Sequence, residues 1–151
     1  MGALRGPSRE DGYSIVELLV VMGIIGILVA VALPTFLGAQ HTSEDRKAQA
    51  DLRNGLAAAL THFSEEGEWD DFDATLAGSI EPSVSWIDGG SPTADQISIQ
   101  VNAGEELLLV RRSTSGEFFC VVQIAESPST RRGSGAAFAD VDSVAECAGG
   151  W

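Results

Sequence analysis

The sequence is poor in the side chains that most enzymes rely on, with two histidines, two cysteines and one tyrosine among 151 residues. His41 and His62 lie 21 residues apart, about 32 Å along a single helix at 1.5 Å per residue. They cannot share a metal or form a dyad within one subunit, and both read as surface or helix-flank residues. Cys120 and Cys147 belong to no CxxC, and no Gly-rich phosphate loop, nucleophile elbow or zinc spacing occurs. No convergent catalytic set can be named, so the chain reads as a non-enzyme. Positive charge is scarce as well: 9 Lys and Arg stand against 22 Asp and Glu, a net −13. That balance lacks the basic footprint that phosphate backbones attract, so no nucleic-acid site is evident.

Hydrophobic residues make up an ordinary 44%, but they are unevenly placed. From Ile15 to Leu33 there are 19 residues with Glu17 as the one charged side chain, long enough to span nearly the ~30 Å hydrocarbon core of a bilayer. Three readings compete. A cleaved secretory signal is favoured by Ala30-Val31-Ala32, which has the A-x-A pattern, but the run exceeds the usual ~7–15 residue apolar region and carries a glutamate. A plain membrane anchor explains the length and leaves Glu17 unexplained, although a carboxylate inside the apolar zone costs about 2.5–3.5 kcal/mol on insertion scales.

The third reading supplies Glu17 with a partner. The stretch Gly12-Tyr13-Ser14-Ile15-Val16-Glu17-Leu18-Leu19 resembles the processing site of type IV prepilins. In that family a short hydrophilic leader ends in glycine, an aromatic residue follows, and glutamate sits five residues after the glycine. The resemblance implies that prepilin peptidase cuts between Gly12 and Tyr13 and that the new amino terminus at Tyr13 is N-methylated. It also implies that Glu17 meets a neighbouring subunit's amino terminus during assembly. Opposite charges about 4 Å apart attract by about 4 kcal/mol at an effective dielectric near 20, which matches the insertion cost. Pro34, 21 residues beyond Tyr13, falls where pilins carry a proline. The family implies that the stretch from Gly26 to Pro34 loosens in the filament. Close helix packing is the other reading of Gly23 and Gly26. Two details depart from the family pattern: tyrosine replaces the commoner phenylalanine at position 13, and the acidic pair Glu10-Asp11 precedes Gly12. The stretch from Asp45 to Arg53 resembles actinobacterial pilin-like proteins.

Beyond Pro34 a helical pattern resumes, with Ala48, Leu52, Leu56, Ala59, Leu60 and Phe63 at steps of three and four. Asn54-Gly55 is its weak spot. Alternation at Ile97, Ile99 and Val101 and the apolar runs Leu107–Val110 and Phe118–Ile124 read as strands, separated by turn residues at 102–104 and 113–116. Residues 67–93 read as an irregular stretch tucked down by Trp69, Phe72, Leu76 and Trp86, and the tail from Arg131 as small-residue rich. The expected fold is α+β and pilin-like: one helix, half membrane-embedded and half amphipathic, packed on an antiparallel sheet of three to four strands. The corresponding segments are a leader over 1–12, a transmembrane and assembly helix over 13–36, its amphipathic half over 37–66 and a β head over 67–151.

Two cysteines beyond a membrane segment suit one disulfide, Cys120–Cys147, in an exported domain; two buried free thiols are the other reading. The disulfide requires Cα atoms within about 7 Å. The acidic clusters at Glu65–Asp73 and Asp140–Glu146 read as solvated loops, with calcium, a hard cation, as the alternative occupant. The doublets Arg111-Arg112 and Arg131-Arg132 read as exposed charge, or as partners for acidic loops on a neighbour. No cofactor is expected.

The function expected is a structural subunit of a type IV pilus-like filament, held first in the bacterial cytoplasmic membrane as a single-pass precursor and later displayed outside the cell. Its partners would be copies of itself, prepilin peptidase and the pilus assembly machinery. A pseudopilin of a type II secretion or competence system is the alternative within the resemblance. A membrane-anchored extracellular binding module that never assembles is the alternative outside it.

Overall fold

The computed structural model describes residues 13–125 and 127–151, with the side chain of Pro128 outside the description. Gly12, expected as the processing residue, and the expected leader over 1–12 lie outside the described residues. Helix α1 spans Ile15–Glu66, and the chain divides into two units, Met1–Ala39 and Gln40–Trp151. Ser14 starts α1: its Oγ accepts from the Val16 N–H at 3.3 Å, and Glu17 follows at the Ser-x-x-Glu spacing of a capping box.

In the second unit α1 buries Ala48, Leu52, Gly55, Leu56, Ala58, Ala59 and His62. This stripe is rotated slightly from the one the sequence predicts. Leu60 stands 41% exposed, and His62, expected as a surface or helix-flank residue, is buried with its ring 5.7 Å from Phe72. A short helix, α2 (Ala74–Ile80), follows, capped by Asp73, whose Oδ1 accepts from the Leu76 N–H at 2.8 Å.

Five strands form one sheet in sequence order: β1 (Ser85–Asp88), β2 (Gln96–Asn102), β3 (Glu106–Arg112), β4 (Phe118–Ile124) and β5 (Ser127–Gly135). All neighbours are antiparallel except β1 and β2, which pair in parallel with Trp86 opposite Ile97. The expected count of three to four strands is thus corrected to five. The additional strands are β1, inside the stretch read as irregular, and β5, which begins at Ser127 and runs into the tail. Between β2 and β3 the chain turns on Ala103 and Gly104, both at positive φ (52° and 69°), the backbone such tight hairpins need.

Both sheet faces are covered. One packs against α1 through Ile97, Ile99, Leu107, Leu109, Phe119 and Val121, with Trp69, Phe72 and Trp86 completing that cluster. The other carries Leu108, Val110, Phe118, Cys120 and Val122 beneath Val141 and Cys147 of the tail. Two-sided burial explains why β3 and β4 read as continuous apolar runs. Past Cys147 the chain follows the edge of β5, where Gly149 bridges Gly133 and the Gly150 N–H donates to the Arg132 carbonyl. Trp151 then joins the helix-side cluster, with the Arg53 and Arg132 guanidinium carbons 5.0 and 5.1 Å from its ring centre, and its Nε1 donates to the Cys120 carbonyl at 3.0 Å.

Candidate functional site

The apolar start of α1 is the candidate site. Every described residue from Tyr13 to Thr42 is solvent-exposed, and the side chains include Ile15 at 80%, Ile27 at 70% and Phe36 at 64%. α1 is long and apolar enough at this end to cross a membrane. An exposed apolar surface of this extent marks a lipid or protein contact site, because isolated soluble domains rarely present one. Val29, Ala32, Leu33 and Phe36 line a shallow apolar recess of about 250 Å³ on it.

At the tip, Tyr13 is 77% exposed and Glu17 occupies the first turn of α1, where the helix dipole favours negative charge. Among the described residues no cation lies within ion-pair distance of Glu17. Ser14, named above only as part of the prepilin-like stretch, ties this turn by accepting from the Val16 N–H through its Oγ. Its signal was the Ser-x-x-Glu spacing. Gly26 and Pro34 both sit inside the same helix, and a side chain at Gly26 would meet nothing within 4 Å. Proline has no N–H to donate within the helix. One turn around it is tied instead by the Thr35 hydroxyl, which donates to the Ala32 carbonyl at 2.8 Å.

Cys120 and Cys147 are joined by a disulfide with Cα atoms 5.8 Å apart, fixing the tail to β4. Arg111, read from sequence as exposed charge, is buried and pairs with Asp51 of α1 at 2.8 Å, whereas Arg112 is exposed. A guanidinium is buried there because a carboxylate on the facing helix meets it. His41 is exposed with Glu44 at 3.7 Å. Among the described residues no group of three or more His, Cys, Asp or Glu is placed to share a metal ion.

Comparison with known proteins agrees with the position of the site. The Prokaryotic N-terminal methylation motif matches residues 7–33. A fimbrial protein of Neisseria meningitidis serogroup B is 31% identical over 154 residues, covering 93% of this chain and 86% of that protein. Type IV major pilin protein PilA of Myxococcus xanthus is 38% identical over 72 residues, 48% of this chain and 33% of that protein's length. Type IV major pilin protein PilE1 of Neisseria gonorrhoeae is 29% identical over 126 residues, covering 74% of this chain and 75% of that protein. No solved structure matches the chain.

Proposed function

The chain belongs to the type IV pilin family, since type IV major pilin protein PilE of Neisseria gonorrhoeae is 30% identical over 74% of both chains, and on that premise we propose that it is a structural subunit of an extracellular pilus, made as a single-pass precursor in the bacterial cytoplasmic membrane. Prepilin peptidase cleaves between Gly12 and Tyr13, and the freed amine of Tyr13 is N-methylated. The apolar half of α1 anchors the subunit in lipid and then packs among the same segments of other copies, with the pilus assembly machinery moving it from one environment to the other. The observation that carries this reading is the apolar helix surface, exposed along its whole described length and led by one carboxylate at Glu17.

Glu17 is the assembly residue in this account. Inside lipid its charge opposes insertion, and beside the amino terminus of a neighbour the attraction offsets that opposition. Gly26 and Pro34 are the positions at which α1 loosens when the filament is stretched: glycine has weak helix propensity, and proline contributes no hydrogen bond. Glu17→Ala, expressed in a piliated host, should reduce filament yield strongly while the exported head keeps its Cys120–Cys147 disulfide. Unchanged filament yield with a soundly folded head would contradict the role given to Glu17.

A further inference from the structure

Arg111 on β3 is 4% exposed, and its Nη2 donates to the Asp51 carboxylate at 2.8 Å. Its Nε and Nη1 are also buried and have no hydrogen-bond partner among the described residues. A buried donor left unpaired is destabilising, and more so when it carries charge. Arg111 also lines a recess of about 20 Å³, whose wall includes Glu44, Lys47, Ala94, Asp95 and Ser113.

We propose that this recess is a binding site for a single water molecule, which accepts from Arg111 Nε and donates to a carboxylate or hydroxyl oxygen on the recess wall. Size limits the occupant. A water needs roughly 10–15 Å³ of such space, so the recess holds one and is too small for a carboxylate or phosphate group. Charge limits it further. Glu44, Asp51 and Asp95 around Arg111 and Lys47 make the surroundings net negative, which disfavours an anion, while a metal cation would face two positive side chains. A neutral molecule that both accepts and donates fits both constraints. The water completes a polar joint between α1 and the β3–β4 hairpin, whose other ties are Asp51–Arg111 and the Ser115 hydroxyl donating to Asp45.

The test uses the full chain in detergent and the Arg111 side-chain Hε resonance in nuclear magnetic resonance spectra. The expected result is a cross-peak from Arg111 Hε to a long-lived water. It should be lost in Ala94→Val, where a larger side chain grows from the recess wall, while the far-UV circular dichroism stays that of the parent. Direct bonding of Nε and Nη1 to protein oxygens in a crystal structure would overturn the proposal, as would a cross-peak unchanged in Ala94→Val. An anomalous bromide peak in the recess after a bromide soak would assign the site to an anion and overturn it equally.

Discussion

Gly55→Ala sets two well-understood effects against each other. In an exposed helix interior, alanine is favoured over glycine by about 0.8–1 kcal/mol. At Gly55, however, a Cβ would lie 2.8 Å from Trp86 Cη2 and 3.2 Å from Ile97 Cδ1, whereas carbon atoms in good contact sit about 3.5–4.0 Å apart. Trp86 is not free to retreat: its Nε1 donates to the Glu81 carbonyl at 3.0 Å, and Phe72 meets its ring edge-on at 6.3 Å. Overpacking of this kind typically costs about 1–3 kcal/mol. The clash therefore outweighs the helix gain, and Gly55→Ala should destabilise the chain by about 1 kcal/mol. Gly78→Ala is the control, because there a Cβ would meet Trp86 at an ordinary 3.7 Å and the substitution should stabilise by about 0.5–1 kcal/mol. Urea denaturation of the full chain in detergent, followed by circular dichroism, reads both. If Gly55→Ala proved as stabilising as Gly78→Ala, Trp86 could not be packed against α1 as described.

Two further substitutions probe the joints of the head. Asp51→Ala leaves the Arg111 guanidinium buried without its carboxylate, so it should cost about 3 kcal/mol, the low end for a broken buried pair because Asp51 keeps 18% exposure. A loss below about 1 kcal/mol, measured in the same denaturation assay, would mean that Arg111 finds another acceptor. Opening the disulfide with Cys120→Ser plus Cys147→Ser removes a cross-link of sequence separation 27, worth about 3.5 kcal/mol in the chain-entropy model. The tail over 136–151 should then become the first site of proteolysis, and unaltered protease resistance would contradict its dependence on the staple.

The parts legible in the sequence are those where burial leaves a periodic trace. Ala48, Leu52, Leu56 and Ala59 marked the buried stripe of α1, alternation at Ile97, Ile99 and Val101 marked β2, and apolar runs marked β3 and β4. Gly55 read only as a weak point in a helix, because nothing local announces that an indole from 31 residues downstream fills the space of its missing side chain. β5 escaped notice because its composition serves close approach and not apolar burial. A Cβ at Gly133 would lie 2.6 Å from the Ala148 backbone, and one at Gly135 would collide with Asp140 Cβ. β1 has only four residues, borrowed from a polar stretch and held in place by parallel pairing with β2, a long-range contact that no local pattern encodes. The Arg111-Arg112 doublet shows the same limit: strand alternation sends one guanidinium inward and the other out, and only the presence of Asp51 on the facing helix allows the first. At the candidate site the logic was local, since the apolar run, Glu17 and Pro34 are all features of one helix.

The most direct measurement is mass spectrometry of the amino terminus of the mature protein recovered from cells. The account predicts a chain beginning at N-methylated Tyr13, with the twelve preceding residues removed. A mature chain beginning at Leu33, or one still carrying Met1, would contradict it.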